Sequence, residues 1–276
     1  MEAFSLPFFR IALFAILVLA GLHAYLGFHV VRRGVIFVDL ALAQMAALGV
    51  AFAIATGMHE NPVASYLWPL GMTLLGAACF AWLRSQDRRV PLEAFIGIVF
   101  ATAQSAVFLV LENSPSGMEH LKETLVGTLY TVDPNRLLKT AILYVAISVV
   151  HVLLRKPFFE ITNDPEGARA RGRKIFLWDF LFYALFGLVV TQSVQIAGVL
   201  LVFGLLVIPA VAGILSASRP GAALAVGWLF AFLASIGGLM GSVHFDMPAS
   251  PSILLMLAAC LAVLGAVLAF KRRSRA

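Results

Sequence analysis

Charge is what this sequence has least of. Asp, Glu, Lys and Arg make up 12% of its 276 residues, about half of the roughly 25% usual in a soluble domain. Hydrophobic residues make up 61%, and the mean hydropathy is +0.96. A soluble protein of this size has no interior large enough to hide that much apolar surface. The composition therefore excludes a soluble enzyme, a disordered chain and a nucleic-acid-binding module. Cysteine is equally scarce. Cys79 and Cys260 are the only two, both inside apolar runs, which excludes a disulfide framework and a thiolate metal site. Catalytic signatures are missing too. The chain holds no G-x-x-x-x-G-K-[ST], no H-E-x-x-H, no G-x-S-x-G and no C-x-x-C. If it uses ATP, another chain supplies the hydrolysis.

What the sequence does have is long apolar runs. A membrane barrel would show alternating segments of about ten residues, whereas a spanning helix needs about 20 apolar residues in a row. Nine stretches satisfy the second rule: 8–31, 35–57, 62–83, 91–111, 137–154, 175–194, 196–217, 222–243 and 251–270. The expected fold is an all-α polytopic bundle in contact with membrane lipids, with residues 1–276 forming one transmembrane domain. The first stretch is kept as a span because Met1–Phe9 carries Glu2 and no Lys or Arg, unlike a cleaved signal peptide.

The few charges set an orientation. Of 20 Lys and Arg, 16 fall on one side of a nine-span chain. They are Arg32, Arg33, Arg84, Arg88, Arg89, Arg155, Lys156, Arg169, Arg171, Arg173, Lys174, Arg219, Lys271, Arg272, Arg273 and Arg275. Basic loops stay cytoplasmic, so the N-terminus is expected outside and the C-terminus inside. The opposite side keeps Arg10, Lys122, Arg136 and Lys139 and is net acidic, with Glu2, Glu60, Glu112, Glu119, Glu123, Asp133 and Asp246. His59, His120 and His244 share it. His59, Glu60, His120, His244 and Asp246 thus suit an outer mouth that receives a cation, although polar residues are common in any loop. Segment 112–136 is too long for a tight turn, and Met118–Tyr130 reads as a short helix on the outer surface.

Ionisable groups within spans are expensive and are the first candidates for function. Three carboxylates qualify: Asp39, Glu93 and Asp179. Glu93 follows Pro91 in the first turn of its span, where a carboxylate favours the positive helix end. Asp179 reads as structural, paired with Lys174 or the loop bases. Gln44 and Gln104 lie deep in spans two and four, and a polar path through Gln104 and Gln44 to Asp39 follows. Glutamines also serve as plain interhelical hydrogen-bond partners. In Ile196–Pro220, Gly198, Gly204 and Gly213 allow close helix approach, and Pro209 is expected to bend or break the helix. Pro209, Ala210, Gly213, Ser216 and Arg219 then form a docking surface for a soluble partner. Asp164 and Pro165 fit a helix start and Gly172 its end.

The order of Arg32-Arg33, Asp39, Glu93-Ala-Phe-Ile-Gly-Ile-Val-Phe-Ala101, Gly127-Thr-Leu129, Asp164-Pro-Glu-x-Ala168, Gly198-Val-Leu-Leu-Val202, Ile208-Pro-Ala210 and Asp246-x-Pro248 resembles the permeases of zinc, manganese and iron ABC importers. The resemblance covers nearly the whole chain. It implies a homodimeric permease in the cytoplasmic membrane of a bacterium, with no bound cofactor of its own and no covalent chemistry. A cytoplasmic ATPase would use the ATP and dock near Pro209–Pro220. An extracytoplasmic metal-binding protein would deliver the ion to the outer mouth. Many members carry G-D-x-x-x-H at the start of span two, a carboxylate and an imidazole at i and i+4. Here Gly is Val38, Asp39 is kept, position 43 is Ala and Gln44 follows. Glutamine is a poor Zn²⁺ ligand. Two other readings therefore stand beside metal import: a permease of this fold for a chelate, and a self-sufficient secondary transporter, which would need repeats and midplane carboxylates.

Overall fold

The computed structural model describes residues 6–58, 60–86, 90–112, 127 and 129–273. Glu2, His59, Arg88, Arg89, Glu119, His120, Lys122, Glu123, Thr128 and Arg275 lie outside the described residues. Among the described residues ten helices follow one another: α1 Pro7–Arg33, α2 Val38–Ala55, α3 Pro62–Ser85, α4 Leu92–Leu111, α5 Pro134–Leu153, α6 Arg155–Asn163, α7 Pro165–Ala170, α8 Ile175–Ser216, α9 Pro220–His244 and α10 Ala249–Arg273. No strand occurs among the described residues.

The helix ends are written in the chain. Five helices start at a proline, whose missing N–H would find no acceptor in a first turn anyway. Asn61 caps α3 by accepting from the Val63 and Ala64 N–H groups. Asp133 does the same for α5 through Asn135 and Arg136, and Asp164 for α7 through Gly167. Gly34, Gly57 and Gly172 follow α1, α2 and α7 with φ of 64°, 68° and 80°, the left-handed turn that ends a helix.

Among the described residues, eight helices are long and apolar enough to cross a membrane. One of them, α8, has 42 residues, about 63 Å at 1.5 Å per residue and twice a hydrocarbon core of about 30 Å. Its single non-helical residue is Gly198, at φ 77° and ψ 157°. That break leaves two crossing-length pieces, so the nine expected segments are present. The sequence reading puts the gap at Gln195; it lies at Gly198 because only glycine takes that backbone region without strain. Pro209, expected to bend or break the helix, keeps helical dihedrals.

The chain divides into two compact units. The first comprises Met1–Val31, Val126–Ala141 and Ile196–Ala276. Without water to drive association, helices in a bilayer cohere by close packing and hydrogen bonds, and glycines do that here. Gly27 of α1 lies against the Leu206 carbonyl and Gly213 of α8 against the Ala223 carbonyl. Gly227 of α9 faces the Pro209 carbonyl, and Gly238 packs on the Ile253 backbone of α10. The Trp228 indole donates to the Gly21 carbonyl at 2.8 Å, tying α9 to α1.

The second unit comprises Arg32–Leu125 and Ile142–Gln195. Gly49 of α2 lies on the Trp68–Pro69 backbone of α3. Thr73 meets Thr191, Phe80 meets Tyr183 and Arg84 meets Asp179. Those three pairs run in opposite sequence order, so α3 and the first half of α8 are antiparallel. Tyr144 of α5 donates to the Val189 carbonyl, and the His151 ring packs on Phe158 and Phe182. The sequence reading assigns no element to 155–162, which it leaves between spans. It is α6, which buries Pro157, Phe158, Ile161 and Thr162.

Candidate functional site

The α1–α2 turn places the first candidates. Gly34 reverses the chain, and the Ile36 N–H donates to Oε1 of Glu93 at 2.8 Å. Glu93 stands in the first turn of α4, so its carboxylate fastens the start of α2 to the start of α4. Asp39, three residues past Ile36, is 1% exposed, and its Oδ1 has no hydrogen-bond partner. An acceptor left dry in this way is costly. It is tolerated where the first-turn N–H groups and the positive end of α2 lie close.

Gln44 is also buried, and Gln104 is half-buried on α4. Five helical residues turn the chain about 140° beyond a full circle, so Asp39 and Gln44 point to different sides of α2. Ala43, at i+4, is the residue on Asp39's side, and it brings no ligand. Between α2 and α4 the packing is apolar, with Met45, Leu48 and Ala51 against Ala103, Val107 and Leu111. No group of three His, Cys, Asp or Glu side chains able to hold a metal occurs among the described residues.

Asp179 belongs to a different arrangement. Arg33 Nη1 donates to its Oδ1 at 2.7 Å and Arg84 Nη1 at 3.3 Å. Arg33 Nε donates to Thr162 Oγ1 at 2.9 Å, and its guanidinium lies 4.0 Å from the Phe182 ring centroid. Of the expected partners, Lys174 or the loop bases, the structure supplies Arg33 and Arg84, which the span boundaries leave in loops and which stand at the ends of α1 and α3. Sequence reasoning missed this cluster. Its signal was a base in the last turn of each of two spans and an acid about one turn inside the start of a third.

The candidate docking surface divides into a buried and an exposed part. Pro209, Ala210 and Gly213 are buried, with Gly213 and the Pro209 carbonyl engaged by α9. Ser216 and Arg219 are exposed. Of the candidate docking residues, only those of the turn at 216–219 are open to solvent.

At the candidate mouth, Glu60 is exposed in the second unit. In the first unit, His244 and Asp246 are exposed in the α9–α10 turn. Asp246 has φ 52° and is the only non-glycine with positive φ among the described residues. Two backbone bonds hold the turn, Phe245 N–H to Gly241 and Met247 N–H to Ser242, both 2.9 Å. Ser242 Oγ bonds the Tyr130 hydroxyl at 2.8 Å. The end of the expected Met118–Tyr130 helix is not helical: Leu129 and Tyr130 form a turn. Gly127, at φ 76°, lies on the Ala197–Gly198 peptide with no room for a Cβ.

The sequence profile of the ABC 3 transport family matches residues 5–269. The high-affinity zinc uptake system membrane protein ZnuB of Haemophilus influenzae is 29% identical over 268 residues, 95% of this chain and 96% of that protein. The manganese transport system membrane protein MntC of Halalkalibacterium halodurans is 26% identical over 256 residues, 92% of this chain and 85% of that one. Among solved structures, PsaBC from Streptococcus pneumoniae in complex with Fab matches with a TM-score of 0.78 at 21% identity, covering 94% of this chain and 91% of that chain.

Proposed function

This chain belongs to the ABC 3 transport family, and from that premise we propose that it is the permease subunit of an importer for a divalent metal cation. The cation crosses the cytoplasmic membrane of a bacterium through this subunit. A separate ATPase binds and hydrolyses ATP, and that cycle alternates the access of the path. The single observation that carries the reading is a family match over nearly the full length of a chain that has spans and no nucleotide-binding loop. Two copies form the membrane part, a cytoplasmic ATPase docks at the exposed Ser216–Arg219 turn, and an extracytoplasmic metal-binding protein meets the His244–Asp246 turn.

Asp39 is the path residue best suited to touch the ion, because it is a buried carboxylate with an unused oxygen. Ala43 leaves it without an imidazole on the same helix side. This favours a brief contact over tight capture, since an ion in transit must also leave. The same feature supports the second reading, a metal chelate as cargo, in which the ion already carries its own ligands. The test is to co-purify the chain with a candidate ABC ATPase and measure hydrolysis with the metal-loaded binding protein. Stable association and metal-stimulated turnover are expected. Two chains that fail to associate would sink the proposal.

A further inference from the structure

A groove of about 520 Å³ runs between the first turns of α1 and α5, both in the first unit. Pro7, Arg10, Ile11 and Phe14 form one wall, and Pro134 and Leu138 stand on the other. The α1 residues recur at helical spacing, so they present one face. Phe14 is 51% exposed and Leu138 57%, which leaves the groove open sideways, where hydrocarbon lies. Its depth follows from helix length. The 27 residues of α1 reach about 40 Å at 1.5 Å per residue, the hydrocarbon core plus the headgroup layers. Pro7 and Pro134 each begin a crossing-length helix, so the groove starts among headgroups. It descends about 10 Å from Pro7 to Phe14. Beside its top, Phe8 meets the Tyr130 ring edge-on at 5.4 Å, and tyrosine is enriched at that depth.

Arg10 is the one charge in this otherwise apolar lining. It is exposed and has no ion pair among the described residues. Asp133, the acid beside the α5 wall, is engaged by the Asn135 and Arg136 N–H groups. Arg136 and Lys139 are exposed on the same two turns of α5, so the surroundings are net basic. Proline has no N–H, so neither Pro7 nor Pro134 offers a backbone donor, and the Arg10 guanidinium carries the recognition. A guanidinium presents a fork of donors that matches a phosphate. Its stem and the Ile11, Phe14 and Leu138 side chains offer an apolar track below. A charged head over an apolar track is the shape of a phospholipid. A zwitterionic headgroup would bring its own ammonium up to these bases, whereas an acidic one brings none. We propose that this groove holds one acidic phospholipid, its phosphate on Arg10 and an acyl chain between α1 and α5.

The test uses the full-length chain in nanodiscs of phosphatidylcholine with a minor share of phosphatidylglycerol, released into a mass spectrometer that counts retained lipids. Phosphatidylglycerol is expected to be retained at least about tenfold over its share. Arg10→Gln should abolish that preference and Arg10→Lys should keep part of it. Arg171→Gln, which removes an exposed base of the other unit, should leave it intact. Size-exclusion and thermal-unfolding profiles check that each variant folds. Equal retention of the two lipids would overturn the assignment, as would a preference that survives Arg10→Gln. Displacement of phosphatidylglycerol by equimolar inorganic phosphate would overturn it too, by making a free anion the ligand. So would a disulfide between two copies carrying Leu138→Cys, with Cys79 and Cys260 replaced by Ala, by seating a second copy in the groove.

Discussion

Arg33 and Asp179 stand 146 positions apart in the sequence, and their side chains meet at 2.7 Å with neither exposed. Arg84 adds a second guanidinium to the same carboxylate oxygen. A buried pair is weak evidence of net stability, but removing one partner leaves the other charge stranded at a cost of about 3–5 kcal/mol. Asp179→Ala is therefore expected to lower the thermal midpoint sharply in detergent. Arg33→Met/Asp179→Leu should lose much less. A double variant as unstable as Asp179→Ala would show that the pair contributes more than charge balance.

Gly198 and Gly127 form a second coupled pair, each at positive φ, with the Gly127 Cα against the Ala197–Gly198 peptide. Gly198→Ala forces an L side chain into a backbone region that costs about 1–3 kcal/mol. Gly127→Ala adds a clash with backbone. Because they touch, the two effects should not add; a double-mutant cycle should give a coupling of about 0.5–3 kcal/mol. Additive losses would mean the contact is absent in the membrane.

Glu93 separates shape from charge. Its Oε1 accepts from the Ile36 N–H, and the oxygen of a glutamine side chain does the same. Glu93→Gln should preserve stability and metal uptake, while Glu93→Ala should cost about 1 kcal/mol for the half-buried donor that loses its acceptor. Uptake abolished by Glu93→Gln with folding intact would place the negative charge itself on the path.

Asp39 and Ala43 test the ion. Asp39→Asn should reduce uptake in cells without altering expression. Ala43→His rebuilds a carboxylate and an imidazole at i and i+4 and should tighten Zn²⁺ binding, measured by competition with a zinc indicator. Tighter binding should slow uptake, because release becomes the limiting step. Ala43→His with unchanged Zn²⁺ affinity would show that Asp39 faces away from any ion.

Arg219 is exposed in the turn before α9. Arg219→Glu should leave the unfolding free energy within about 0.5 kcal/mol of the parent, as for an ordinary surface change. It should weaken co-purification of the ATPase. Normal co-purification would move the docking site elsewhere.

The sequence exposes its spans readily and its side-chain partnerships hardly at all. Apolar runs near twenty residues long locate the helices to within a few residues, and prolines and glycines mark where they start and stop. A break inside one apolar run is harder to read. Both Pro209 and Gly198 look able to cause it, and only the backbone angles show that Gly198 does. Asp179 was legible as structural from its place about one turn inside a span end that carries several bases. Its partners were not, because they depend on which helix ends meet. The amphipathic α6 escaped notice because nine residues give its apolar face too few repeats. Asp39 stood out because a carboxylate inside a span is rare. What surrounds Asp39 follows from helix packing, which leaves no periodic trace.

The bond from Trp228 to the Gly21 carbonyl gives the protein an optical gauge of its own. The chain has four tryptophans, so replacing Trp68, Trp82 and Trp178 with Phe isolates the emission of one indole hydrogen-bonded across α1 and α9. Indole emission shifts when that donor changes partner. During a transport cycle, a steady Trp228 spectrum would mean that these two helices travel together. A shift locked to nucleotide addition would mean that they slide.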